Sequence, residues 1–331
     1  VQQILVIRGG AIGDMIVTLP VLRALRHSFP EASIALLSAP PRAMFAQHAQ
    51  TIDRLLDPDH WGLYRLFSQP PTLSEASAAF LNTCTLIVAY TPDTAALLQA
   101  HLQHYCPGEV LLWPAHPPAQ IHITEHLLEP LRGRLRQPVD PCPQVPIDAA
   151  AAVSAAQFWQ TAGLPDQGVV AFHPGSGGTS KLWPMTGWQQ VIAWAVQHQI
   201  PGMLVSGPAE QEREPLLVPP TWPRARNLPL PHLAALLARC QVVVSHDSGI
   251  AHLAAAVGTT TLALFGPTNP YTWGPRSART CVLWPQPAGP LTLRSLPPAV
   301  VIRTLAALLE NTFSYTPSRV TCTILQPAGE A

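Results

Sequence analysis

Short, nearly unbroken apolar runs recur along this chain, separated by longer stretches with helical spacing, and this alternation limits what it can fold into. In the first half the runs are Ile4–Ile7, Ser33–Leu37, Leu86–Ala89 and Val110–Leu112; in the second they are Val169–Phe172, Gly202–Val205, Val242–Ser245 and Thr260–Phe265. Runs this short without polar alternation suit strands buried on both faces, as in a parallel sheet covered by helices. Helical patterns fall near residues 14–27, 186–199, 231–239, 249–257 and 298–311. The fold class predicted is therefore α/β, built from parallel sheets. Between the halves, Pro138–Pro146 carries four prolines in nine residues and reads as a linker. A chain of 331 residues is long enough for two cores. The expected organisation is two Rossmann-like domains, residues 1–146 and 147–313, followed by a loose tail, 314–331.

Composition narrows the function. Hydrophobic residues make up 47% and charged residues 11%, so buried surface is plentiful. The 19 basic and 19 acidic residues cancel, which leaves no electrostatic footprint for nucleic acid. The six cysteines form no C-x-x-C pair and no metal-ligand spacing, and read as reduced thiols. Arg8 and Asp14 interrupt the apolar N-terminus before a signal-peptide core forms. The longest apolar stretch, Gly249 to Gly266, contains His252, Gly258 and three threonines and reads as helix, turn and strand. A cytoplasmic protein without a metal site is expected.

Three segments could carry chemistry, and each follows a strand. The first is Arg8-Gly9-Gly10-Ala11-Ile12-Gly13-Asp14, at the mouth of the first helix. Ala11 breaks the dinucleotide G-x-G-x-x-G, and Leu37-Ser38-Ala39 offers no carboxylate for a ribose, so NAD and FAD are disfavoured. What remains is a lone carboxylate, Asp14, placed either to act as a general base or to cap its helix. The second segment, His173-Pro174-Gly175-Ser176-Gly177-Gly178-Thr179-Ser180-Lys181-Leu182-Trp183-Pro184, exposes small residues and holds the only lysine in the chain. Such a loop suits a diphosphate, although a solvated glycine-rich loop would look the same. In the third, Ser245-His246-Asp247-Ser248-Gly249-Ile250-Ala251-His252, Asp247 or Ser248 would cap a helix and His252 would look back over its mouth. A Gly/Pro turn, Phe265-Gly266-Pro267-Thr268, follows the next strand.

Taken together, Lys181-x-Trp183-Pro184, Asp247-Ser248-Gly249-x-x-His252 and Phe265-Gly266-Pro267-Thr268 resemble family 9 of the glycosyltransferases, the ADP-heptose:lipopolysaccharide heptosyltransferases and their relatives. The resemblance covers Ile4 to Pro30 and most of the second half, up to about Pro275. It implies a GT-B arrangement, two Rossmann-like domains facing across a cleft, and inverting transfer without a metal or other cofactor. It makes Asp14 the base for the acceptor hydroxyl, with Lys181 as the second catalytic residue. Ser176, Gly177 and Lys181 would hold the donor diphosphate. Asp247, Ser248 and Gly249 would contact sugar and phosphates, and Glu210 would lie near the nucleoside. Gly13, His252 and Thr268 complete the expected donor-binding set. The implied partners are a nucleotide-sugar donor, ADP-linked in the family's name, and a glycolipid or glycan acceptor, with peripheral contact to the inner membrane face.

Residues 53–136 show no matching motif, so the acceptor is open. So is the donor: a UDP or GDP sugar, or a catalytically silent sugar-nucleotide-binding protein, stand as alternatives. Arg23 with Arg26, and Arg132 with Arg136, pair along the chain and would meet anionic groups or merely face solvent.

Overall fold

The computed structural model describes residues 2–91, 96–118, 120–207, 219, 221–285, 293–311 and 323–325. The chain divides into two compact units, Val1–Pro141 and Cys142–Ala331. The division lies inside the proline-rich stretch. Val145 already belongs to the second unit, where its N–H donates to Ala256 O at 3.0 Å.

The first unit is a five-stranded, wholly parallel sheet of β1 (Gln3–Arg8), β2 (Ser33–Leu37), β3 (Arg54–Leu56), β4 (Cys84–Thr91) and β5 (Glu109–Pro114), in the order β3-β2-β1-β4-β5. Its helices are α1 (Ile12–Ser28), α2 (Pro40–His48), α3 (Pro58–Trp61), α4 (Glu75–Asn82), α5 (Ala96–Tyr105) and α6 (Ile123–Leu128). Central β1 buries Ile4, Leu5 and Val6 completely, which is why its sequence lacks polar alternation.

The second unit holds seven parallel strands: β6 (Val170–His173), β7 (Gly202–Ser206), β8 (Arg224–Arg226), β9 (Val242–His246), β10 (Thr260–Leu264), β11 (Thr280–Leu283) and β12 (Thr323–Leu325). They are ordered β12-β11-β10-β9-β6-β7-β8. The accompanying helices are α7 (Ala149–Thr161), α8 (Met185–Gln197), α9 (Leu230–Leu237), α10 (Gly249–Ala256), α11 (Pro270–Trp273) and α12 (Pro298–Leu309). Phe172, Trp188, Val191 and Leu204 lie in its core.

Both sheets reverse strand order beside their first strand, between β1 and β4 and between β6 and β9. That crevice, outside the carboxyl ends of the strands, is where sheets of this kind bind ligands. The α/β class and the two parallel-sheet domains are therefore present. One expectation is corrected. Thr323–Leu325 lie in the stretch read as a loose tail, yet they form β12 alongside β11. Three residues carry too little pattern to announce a strand; hydrogen-bond partners on the open side of β11 order them.

Candidate functional site

In the first unit the chain leaves β1 through Arg8, Gly9 and Gly10 and enters α1. Gly10 has φ +107°, a conformation open to glycine, and a Cβ there would lie 2.6 Å from the Asp14 carboxyl carbon. Asp14, in the first turn, uses both oxygens. Oδ2 accepts from Ala11 N at 2.8 Å and Oδ1 meets Arg8 Nη2 at 3.0 Å. Asp14 is therefore a helix cap, and it is also half-exposed at the carboxyl edge of the sheet. Arg8 is buried, and its other nitrogen, Nη1, reaches Ala115 O at 3.5 Å. Burial lowers the pKa of this guanidinium, and the Asp14 charge and nearby Tyr90 oppose that shift. Arg8 thus aims the carboxylate, a role the sequence did not assign to it. Gly13 lies one residue before Asp14 in the same turn.

The second unit gathers its residues at the switch point. The loop after β6 and the turn from β9 into α10 touch along their length. Ser176 Oγ donates to Asp247 O at 3.0 Å. Lys181 Nζ lies 2.7 Å from Asp247 Oδ2, and Asp247 is only 5% exposed. The contact is a close ion pair without hydrogen-bond directionality, so Oδ2 has no directed hydrogen bond among the described residues. Ser248 caps α10: its Oγ accepts from Ala251 N at 3.4 Å and lies 3.0 Å from Ser245 Oγ. Gly249 opens the helix, and His252 is buried on it. Thr268 sits half-buried in the turn after β10. Glu210 lies outside the described residues.

What holds these loops together is His246, whose motif gives it no role of its own. Its Nε2 accepts two donors, Trp183 N at 2.9 Å and Trp188 Nε1 at 3.1 Å. The ring proton must then sit on Nδ1, facing Gly175 O at 3.3 Å. One neutral imidazole therefore joins β9, α8 and the loop that carries Lys181. Burial and neighbouring His173 push the His246 pKa down to about 3. His173 is itself pushed down to about 4 by burial, and its Nδ1 lies 3.0 Å from Ser245 Oγ. Trp183 anchors the far side of the loop by donating to Leu296 O, and Gly187 makes room for it, since a Cβ there would strike the indole at 2.6 Å.

Glycine at 177 answers no such packing need. A Cβ on Gly177 would meet nothing within 4 Å. Among the described residues the N–H groups of Ser176, Gly177 and Gly178 donate to no protein acceptor. Free N–H groups beside a cation form an anion cradle.

Two tandem Rossmann-type domains, the second with undonated N–H groups and Lys181 at its switch point, define an α/β class that takes ligands at the carboxyl edge of its sheets. The comparisons narrow this class. The chain belongs to glycosyltransferase family 9 (heptosyltransferase), whose family model matches residues 122–291, and it is a glycosyltransferase. It is 25% identical over 309 residues to lipopolysaccharide heptosyltransferase 3 of Escherichia coli, covering 82% of this chain and 86% of that protein. A shorter match, 30% over 133 residues and 38% of either chain, links it to lipooligosaccharide heptosyltransferase 2 of Haemophilus influenzae. In fold it is similar to the family 9 glycosyl transferase of Veillonella parvula, with a TM-score of 0.76 at 20% identity, covering 94% and 98% of the two chains. E. coli ADP-heptose LPS heptosyltransferase II follows, with a TM-score of 0.74 at 19% identity and coverage of 94% and 99%. Among the described residues no helix is long and apolar enough to cross a membrane.

Proposed function

We propose that this glycosyltransferase moves a heptose-like sugar, with inversion and without a metal, from ADP-heptose to a lipopolysaccharide-type acceptor at the cytoplasmic membrane face. The names of its relatives support the sugar and the acceptor. The observation that carries the donor assignment is the switch-point cradle, where free N–H groups, Lys181 and the mouth of α10 meet at one sheet edge.

In this reading Asp14 accepts the proton of the acceptor hydroxyl. The freed oxygen forms a bond to the anomeric carbon as the bond from that carbon to the diphosphate breaks. A single displacement of this kind inverts the configuration. The leaving nucleoside diphosphate gains negative charge, and the cradle neutralises it. Lys181 carries three N–H donors and lies in an ion pair with Asp247, from which it can turn donors to phosphate oxygens. The N–H groups of Ser176 and Gly177 add fixed dipoles, which cost no reorganisation as charge develops. Asp247, Ser248 and Gly249 would bind the sugar and phosphates. Gly13, Glu210, His252 and Thr268 complete the donor set by resemblance to the family.

Titration with ADP tests the donor site. Lys181→Ala should weaken ADP binding by about ten- to a hundredfold, the equivalent of one charge-assisted hydrogen bond. Equal affinity in the variant would remove Lys181 from the site. Parallel titrations with UDP, GDP and dTDP check the base, and NMR of the product's anomeric centre checks inversion.

A further inference from the structure

Four arginines paired along the sequence, Arg23 with Arg26 and Arg132 with Arg136, are re-sorted by the fold. Arg26 is held by Asp53 at 2.5 Å and Arg132 by Glu129 at 2.7 Å. Arg23 and Arg136 instead line one pocket of about 250 Å³ in the first unit. One wall is a single face of α1, with Pro20, Arg23, Ala24 and His27 at helical spacing. The other wall is the end of the same unit, Arg136, Pro138, Val139 and Asp140. Arg23 Nη2 donates to Asp140 O at 2.7 Å and lies 3.3 Å from its carboxylate, which ties the two walls together. Arg136 is fixed by its backbone, whose N–H donates to Ser28 Oγ at 2.9 Å. Its guanidinium is exposed and makes no hydrogen bond or ion pair among the described residues.

We propose that this pocket binds a phosphate group carried on a small, partly apolar body. Two guanidinium groups face one carboxylate, so the pocket holds excess positive charge. Guanidinium forks match phosphate oxygens two at a time. Pro20, Ala24, Pro138 and Val139 supply the apolar surface beside them. The C-terminal half of α1 turns its carbonyl ends this way, which repels an anion. All of the attraction must therefore come from the side chains, with Arg136 foremost because no partner engages it. Arg23 lies nine residues beyond Asp14, about 14 Å along the helix and toward the opposite end of the sheet. The pocket is thus separate from Asp14, the proposed base.

A phosphate of this kind can come from a soluble molecule or from a lipid head group, and the test distinguishes them. Melting is followed against inorganic phosphate at constant ionic strength in the Lys181→Ala background, which weakens the proposed donor site of the second unit. Sedimentation with phosphatidylglycerol vesicles, set against phosphatidylcholine, is measured in parallel. A phosphate-dependent rise in melting temperature that Arg136→Ala abolishes supports the pocket with a soluble ligand. Arg136-dependent sedimentation with the anionic vesicles alone supports it with a head group. The affected affinity should fall about ten- to a hundredfold, as for one charge-assisted contact. If neither response depends on Arg136, the proposal fails, and it does so whatever the ADP titration shows for the donor site. Arg136→Ala without ligand should melt like the parent, since its side chain supports nothing in the fold.

Discussion

Asp14 makes two contacts that one substitution disturbs together. Its oxygens face an N–H on one side and the buried Arg8 on the other. An asparagine has one carbonyl oxygen, so its NH₂ must point at one of these donors. Asp14→Asn should therefore cost about 1.5–3 kcal/mol of stability, the worth of a hydrogen bond to a charged group. If Asp14 is also the base, transfer should fall by about 10²–10⁴-fold while ADP binding holds. Single-turnover transfer, measured well below the melting temperature and beside ADP titration, reads both effects. A destabilised variant that still transfers at the parent rate would leave Asp14 as a cap alone.

At the level of elements, the loop proposed to hold the diphosphate depends on contacts between segments far apart in the chain. The loop after β6 is held against β9 and α8 by an imidazole that must stay neutral to accept two donors. His246 and His173 hold pKa values near 3 and 4, below the ordinary 6.5. Between pH 6.5 and about 4 the unfolded chain therefore binds protons that the folded chain refuses, and stability should fall as pH drops through that window. The slope is at most about 1.4 kcal/mol per pH unit for each histidine. Urea denaturation from pH 7 to pH 4.5 checks this, with His246→Gln expected to flatten the slope while lowering stability. A parent slope that the substitution leaves unchanged would place the acid sensitivity elsewhere.

For the whole molecule, the proposed reaction places its counter-charge on a side chain. Lys181 sits within reach of the leaving diphosphate's cradle, and among the described residues no three His, Cys, Asp or Glu side chains gather as metal ligands. Transfer should therefore proceed at the same rate in excess EDTA as in Mg²⁺. Activity lost to the chelator and restored by Mg²⁺ or Mn²⁺ would show that a cation shares the work of Lys181.

Much of this molecule was legible because parallel strands buried on both faces leave unbroken apolar runs. Ile4–Ile7 and Val242–Ser245 announce β1 and β9 for that reason, and the loops after them hold candidate site residues. Edge strand β5 still showed in Val110–Leu112, but the edge strands β3 and β8 left no such mark. Arg-Leu-Leu in β3 and Arg-Ala-Arg in β8 are short and charged, since an edge has one neighbour and an open side. Helix α7 buries Ala151, Ala155 and Trp159 at four-residue spacing, but the alanines around them hide that stripe in the sequence. Local pattern thus determined the fold class, the tandem domains and the glycine-bearing loops, because each is written within a few residues of chain. Only the tertiary structure decided that His246 clamps Trp183 across 63 residues, that Arg8 aims Asp14, and that Arg23 and Arg136 share a pocket while Arg26 and Arg132 do not. Those outcomes depend on which distant side chains the packed sheets bring within hydrogen-bond reach, and no local spacing encodes that.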